Sequence, residues 1–433
     1  MANARHILWL YEELPALVRE GLLSEEQAAA LRARYGKVES VSRASIIIVL
    51  FSVLAAALIA SGIILLLASN WDQLGRGTRA ALSFAPLAIG QALAAFTLWQ
   101  RRDSVAWREG SGILLAGAIG ASIALIGQTY NVPGDPQAFL LTWIVLGMPL
   151  VYLLNATTVA LAGMAATVSW ALGQRWQSEE TAYFFWAYLL FVLPHVYMAW
   201  RSDRAGARFQ LLGWGLCLML LFLPVALPYR HSGLWLLVYS ALGSAGVLLG
   251  VSPWAGRWWN AFLFIGGGGT ALLSLIFSFS GFWTSGILDK SELISVSGEW
   301  LMALPLLALP GALLLIRRAE RDPLVMLWAA LPLLTYPTYV LAAAQFSPGI
   351  ITFVYNLFAF ALGVATLVTG ARRGSLGQAN IGMALVSMLA ILRFFDSDFG
   401  FLLRGVVFIL VGAGFLVVNL YLSRRNKRAE AAA

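Results

Sequence analysis

Long apolar runs broken by short polar segments set the pattern of this chain. Crossing a hydrocarbon core takes about 20 apolar residues in a helix. Fourteen stretches meet that requirement. The first seven run over residues 45–69, 80–99, 111–128, 138–154, 157–173, 181–200 and 209–227. The second seven run over 233–250, 259–280, 300–316, 324–344, 350–370, 376–392 and 405–422. None of the 50 charged side chains falls inside any of them. The pattern predicts an all-α, polytopic integral membrane protein with about 14 transmembrane helices.

Ahead of the first apolar run, residues 1–44 follow a different pattern. Ile7, Leu8, Leu10, Tyr11, Leu14 and Val18 recur at helical spacing, and Gly21 ends that stripe. Ser24 starts a second helix, with Gln27 three residues on as in a capping box and Glu25 and Glu26 at the positive end of the helix dipole. Ala28, Leu31 and Tyr35 give it an apolar stripe, and Gly36 suits its C-terminal cap. A short cytoplasmic helical hairpin is expected over 1–44, a transmembrane domain over 45–422 and a basic cytoplasmic tail over 423–433. Two short helices bury little core, so the hairpin is expected to pack on inner loops or membrane, or to dock a cytoplasmic protein partner.

Composition agrees with the pattern. The 433 residues are 60% hydrophobic and 12% charged, about half the charged share of a soluble domain. The net charge of +8 does not call for nucleic acid, because basic loops retained on the cytoplasmic side produce the same balance. With the N-terminus inside, alternating loops place 22 of the 29 Lys and Arg inside, Arg101, Arg102, Arg108, Arg201, Arg204 and Arg208 among them, and 7 outside. Both termini are therefore expected in the cytoplasm. The shortest connection, between the fourth and fifth stretches, is little more than Asn155 and Ala156. About 44 mixed-charge residues precede the first apolar run, so a cleavable signal is not expected.

The chemistry-bearing residues are few. The single Cys217 excludes an internal disulfide and a cysteine metal cluster. His195, after Pro194 near the end of the sixth stretch, is expected to bond a nearby carbonyl or water rather than a metal. No phosphate loop, zinc-protease helix or paired-cysteine motif occurs, so neither enzymatic activity nor a cofactor is expected. An interfacial membrane enzyme would have to draw on Asp72, Asp135, Asp396, Asp398, Asp289, Glu292 or Glu299, a set too generic to define a reaction.

Loops on the expected outer face carry a more specific signal. Asn70-Trp71-Asp72 is followed by Arg76 and Arg79; Gln128-Thr129-Tyr130-Asn131 leads to Gly134-Asp135; Arg393, Asp396, Asp398 and Arg404 lie between the last two stretches. Charges this close to membrane depth need partners. Two readings stand: an ion-pair collar joining the first, third and last helices, or an anion site for a lipid headgroup or lipid-linked carrier, which guanidinium groups bind in two-pronged fashion.

Small and helix-interrupting residues add a third consideration. Gly112, Gly117, Gly120 and Ala121 in the third stretch predict close helix packing. Gly266 to Gly269 in the ninth stretch, and Pro305, Pro310, Pro332 and Pro337 in the tenth and eleventh, could interrupt helices along a transport path. The residues thus support a non-enzymatic protein that binds an envelope lipid or partner, with a transporter or lipid flippase as the alternative.

Several motifs carry a resemblance. Gly21-Leu22-Leu23-Ser24-Glu25-Glu26-Gln27-Ala28, Asn70-Trp71-Asp72 and Gln128-Thr129-Tyr130-Asn131 with Gly134-Asp135 resemble the bacterial predicted membrane proteins grouped as domain of unknown function 2157. The run from Arg393-Phe394-Phe395-Asp396 through Arg404-Gly405 to Gly412 and Asn419 looks like the closing helices of the same group. The resemblance covers roughly residues 7–155 and, more loosely, the C-terminal run. It implies a multi-pass bacterial inner-membrane protein of unassigned activity and supplies no catalytic residues.

Overall fold

Inside a bilayer no water is available to backbone N–H and C=O groups, so an apolar chain closes those bonds within itself as helices. The computed structural model describes residues 4–35, 71–174, 181–223, 232–255, 260–284, 298–316, 322–344 and 346–396, with scattered helical positions between 405 and 416. Among the described residues the regular structure is helical throughout. The chain divides into two units, residues 1–81 and 82–433.

The first unit contains α1 (Ala4–Arg19) and α2 (Glu25–Tyr35). Between them Gly21 takes a left-handed φ of 73°, which only glycine adopts without steric cost. The Ser24 hydroxyl accepts from the Gln27 amide at 3.2 Å, and the Gln27 side chain accepts from the Ser24 amide at 3.0 Å, the two bonds of a capping box. Leu14 and Ala28 are buried, and the Tyr11 hydroxyl donates to the Arg32 carbonyl at 3.3 Å. Gly36 and the first expected span, 45–69, lie outside the described residues.

Helix α3 (Arg76–Gln100) runs across the division. Then come α4 (Val105–Thr129), α5 (Pro136–Leu153), α6 (Thr157–Gln174), α7 (Thr181–Ser202) and α8 (Ala207–Leu221). They are followed by α9 (Ser232–Gly250), α10 (Ala261–Phe277), the short α11 (Ser280–Thr284) and α12 (Gly298–Ile316). The described helices end with α13 (Pro323–Trp328), α14 (Leu331–Ala343), α15 (Pro348–Arg373) and α16 (Leu376–Asp396). Among the described residues, eight helical segments are long and apolar enough to cross a membrane, with α13 and α14 counted as one. Four shorter apolar helices, within α6, α8, α10 and α12, fill the expected stretches at 157–173, 209–227, 259–280 and 300–316.

Helix α9 is the central one: 72% of its apolar window is buried, against 17–39% for the other seven. It packs on α10, α12 and α14. Its contact with α10 is made by bare backbone. A Cβ on Gly246 would stand 2.8 Å from the Gly266 Cα, and one on Gly266 would stand 2.7 Å from the Gly246 carbonyl carbon. Helices α15 and α16 meet in the same way, with a Cβ on Gly382 reaching to 2.6 Å from the Gly363 carbonyl oxygen. In lipid, where burying apolar surface gains little, such close approach supplies the dispersion contact that holds helices together.

Hydroxyl groups reinforce this half of the molecule. Ser240 of α9 bonds Thr335 of α14 at 2.8 Å, and Thr338 bonds the Tyr355 hydroxyl of α15 at 2.7 Å. Trp328 of α13 donates to Thr366 of α15 at 2.9 Å.

Several expectations from the sequence need correction. The eleventh stretch is two helices, not one: the chain breaks at Ala329–Ala330, and the Ser244 hydroxyl satisfies the Ala329 carbonyl at 2.7 Å. Pro332, which has no N–H to give, sits in the first turn of the second piece. Gly266 to Gly269 do not interrupt their helix, and Pro305 and Pro310 lie within the continuous α12. In the third stretch only part of the small-residue pattern packs. Gly112 faces Ala156 and Gly120 faces Trp143, while a Cβ on Gly117 would meet nothing within 4 Å and Ala121 is exposed.

Candidate functional site

The residues expected on the outer face fall into separate places. In the first unit, Asp72 lies in a 3-10 turn, Trp71–Gln73, Arg76 is exposed at the first residue of α3, and Arg79 donates from Nε to the Leu74 carbonyl at 2.9 Å. In the second unit, Gln128 in the last turn of α4 and Tyr130 and Asp135 in the connection to α5 are all exposed. Asp135 is the N-cap of α5, accepting from the Gln137 amide at 2.9 Å. Arg393, near the end of α16, stacks 4.2 Å over the Phe279 ring and reaches the Ser278 hydroxyl at 3.4 Å. Asp396 ends α16, and Asp398 and Arg404 lie outside the described residues.

A cleft that the sequence did not single out lies between α4, α5 and α6. It has a volume of about 240 Å³ and is lined by Ile113, Ala116 and Gly117 of α4, by Trp143, Ile144, Gly147, Met148 and Val151 of α5, by Val159, Ala162, Gly163 and Ala166 of α6, and by Tyr188 of α7. Small residues create it: Gly117 and Gly147 leave open space where a side chain would stand. At its rim Ile113 is 42% exposed. Trp143 is fixed by donating from its indole to the Ala116 carbonyl at 2.6 Å.

One helical turn beyond that cleft lies a polar cluster. Glu109, in the first turn of α4, accepts from the Thr157 amide at 2.8 Å and from the Thr158 amide and hydroxyl, each at 2.7 Å. Those amides open α6 and have no partner within it, so a carboxylate from another helix caps them and meets the positive end of the α6 dipole. The preceding turn is shaped by Asn155, whose φ of 51° is left-handed. The Asn155 side chain accepts from the Arg208 guanidinium, which also faces the His195 Nε2 at 3.2 Å.

Arginine can only donate, so the His195 Nε2 must accept and the ring carries its proton on Nδ1. The ring is fully buried, with Tyr152 edge-on at 5.7 Å. His195 Nε2 thus faces a guanidinium, and no group of three or more His, Cys, Asp or Glu suited to a metal occurs among the described residues.

Three polar atoms of this cluster are buried without a hydrogen-bond partner: Arg108 Nε, Arg208 Nε and His195 Nδ1. Arg108 stands near enough to repel Arg208, and Glu109 attracts both Arg208 and His195 through space. The carboxylate near these guanidinium groups thus has its oxygens taken by three donors of α6. The arrangement can receive an anion. The sequence reading had counted Arg108 and Arg208 only as loop charges.

A family described as predicted membrane protein, domain of unknown function 2157, matches over residues 15–160. The match takes in the whole of α3, α4 and α5, so Arg108, Glu109, Asn155, Thr157 and Thr158 lie within it, and His195 and Arg208 lie beyond it. No curated protein and no solved structure matches the chain.

Proposed function

We propose that the protein is a non-enzymatic, multi-pass protein of the bacterial inner membrane that retains a lipid or lipid-linked carrier of the envelope. The observation that carries this reading is the apolar cleft between α4, α5 and α6, floored by Gly117 and Gly147 and open at Ile113. Its lining offers dispersion contacts to a hydrocarbon chain and almost no hydrogen bonds. A volume of about 240 Å³ suits part of one such chain better than a whole polar substrate.

On this reading the termini are cytoplasmic, and the α1–α2 pair presents an inner face to a protein partner. The Arg/Asp set is then not the ligand site, because Asp135 is engaged as a helix cap and Arg393 is stacked on Phe279. The transporter alternative rests on interrupted helices: the continuity of α10 through Gly266–Gly269 and of α12 through its prolines weighs against it, whereas the break at Ala329–Ala330, beside Pro332, is an interruption of the kind it requires.

Native mass spectrometry of the protein extracted with its lipid tests the proposal. Wild type is expected to keep one lipid adduct through activation, and Gly117→Leu, which grows into open space, to lose it while unfolding at the same temperature. An adduct equally abundant in both would sink the assignment of the cleft. Cysteines placed at Ser104 and Asn131 report orientation, with labelling of the first expected from the cytoplasmic side and of the second from the opposite side.

A further inference from the structure

Two stripes of α4 run from the polar cluster into the cleft. Arg108, Gly112 and Ala116 lie on one face at intervals of four residues, and Glu109, Ile113 and Gly117 lie on the next. Ala116, Ile113 and Gly117 line the cleft, and Gly112 packs on Ala156 and Val159 at its end. Glu109 stands four residues, or about 6 Å along the axis, before Ile113. From Gly117 to Gln128 on the outward connection the distance is eleven residues, or about 16 Å. The cleft therefore belongs to the arginine end of α4. Helical side chains lean toward the N-terminus of their helix, which carries the Arg108 guanidinium away from the apolar lining and toward the depth of lipid headgroups.

We infer that Arg108 and Arg208 form a binding site for a phosphate ester, supplied by the headgroup of an anionic lipid whose chain occupies the adjoining cleft. This inference rests on the lipid-retaining reading above and names the ligand class and the end at which it is held. Three observations converge. Nε of each arginine is buried and unpartnered. The carboxylate of Glu109 spends its hydrogen-bonding capacity on capping α6 and brings one negative charge against two guanidinium groups, which leaves a net positive charge in the cluster. The fully buried His195 accepts from Arg208 at Nε2 and keeps an unpartnered N–H on Nδ1, which fixes the guanidinium and adds a donor to the cluster. A phosphate ester brings negative charge and several acceptor oxygens, and guanidinium forks match such oxygens in pairs. Zwitterionic lipid brings its own cation to the same place and gains less.

The full-length protein in detergent, titrated with phosphatidylglycerol, with phosphatidylcholine of the same chains and with inorganic phosphate, tests the inference by native mass spectrometry. Wild type is expected to retain phosphatidylglycerol about tenfold more strongly than phosphatidylcholine. Arg108→Gln should abolish that preference and leave phosphatidylcholine binding unchanged, and Arg108→Lys should keep part of it, since charge persists without the fork. Equal retention of phosphatidylglycerol by wild type and Arg108→Gln overturns the headgroup site. Should Gly117→Leu then still remove both lipids, the cleft reading survives that failure; should neither variant matter, both readings fall. Displacement of phosphatidylglycerol by inorganic phosphate, with Gly117→Leu having no effect on either, would make the ligand a free anion and overturn the lipid assignment.

Discussion

Helices α4 to α8 and helices α9 to α16 solve the problem of polar groups in an apolar setting in opposite ways. In the second group the side chains that join α9, α13, α14 and α15 are neutral and paired: Ser240 with Thr335, Thr338 with Tyr355, Trp328 with Thr366. Even the carbonyl at the break after α13 has the Ser244 hydroxyl. In the first group the polar cluster draws on two arginines, a glutamate and a histidine, and three of its atoms, Arg108 Nε, Arg208 Nε and His195 Nδ1, are buried without a hydrogen-bond partner. A closed network holds helices together and needs nothing more. A charged network left open costs folding free energy unless something binds it, and that difference separates structural glue from a site.

Substitutions that break or sharpen this contrast can be ranked by expected effect. The largest belongs to the paired region: Gly266→Val drives a Cβ to 2.7 Å from the Gly246 backbone and should cost about 3 kcal/mol or prevent accumulation, as read by thermal unfolding in detergent. Gly117→Leu, in open space, serves as its matched control. Next comes Glu109→Ala, which strips three donors at the start of α6 and should cost about 2 kcal/mol; an unchanged unfolding temperature would refute the capping role.

Smaller effects follow. Ser240→Ala should cost about 1 kcal/mol, and adding Thr335→Val should recover part of it, because removing both members leaves no orphaned group; strict additivity in the double-mutant cycle would show that the pair is not coupled. The smallest effect is reserved for Arg373→Ala. Its ion pair with Asp322, 2.8 Å long but with side chains 51% and 29% exposed, should contribute no more than about 0.5 kcal/mol and fade with added salt.

Much of the helical layout was legible in the sequence because lipid demands a length and an apolar composition that can be read directly. The stretch 138–154 became Pro136–Leu153, and 376–392 became Leu376–Asp396. Helices outrun the apolar stretches where polar residues can still continue the backbone ladder, and α4 begins at Val105 rather than 111, which brings Arg108 and Glu109 into its first turns. That extension is why the site was missed: charges that look like loop charges stand on a helix, aligned with Ile113 and Gly117. A signal was present in Asn155-Ala156-Thr157-Thr158, a helix start that lacks an acidic cap of its own and so calls for a carboxylate from elsewhere. An interruption of the eleventh stretch was signalled by Pro332 and Pro337, but its position at Ala329–Ala330 was hidden, since both residues suit a helix and the hydroxyl that stabilises the break comes from Ser244, 85 positions away.

The backbone contact between α9 and α10 also bears on how these helices can change over generations. When two side chains meet, a larger residue on one helix can be answered by a smaller one on the other, and the two positions drift together. At Gly246 and Gly266 the atoms in the way are the partner's Cα, carbonyl and amide, which no substitution removes. Neither glycine can be compensated through the other, so second-site suppressors of Gly266→Val should not arise at position 246. Recovery has to come from true reversion or from changes that move the whole of α10, and the two glycines should behave as independently fixed points rather than as a covarying pair.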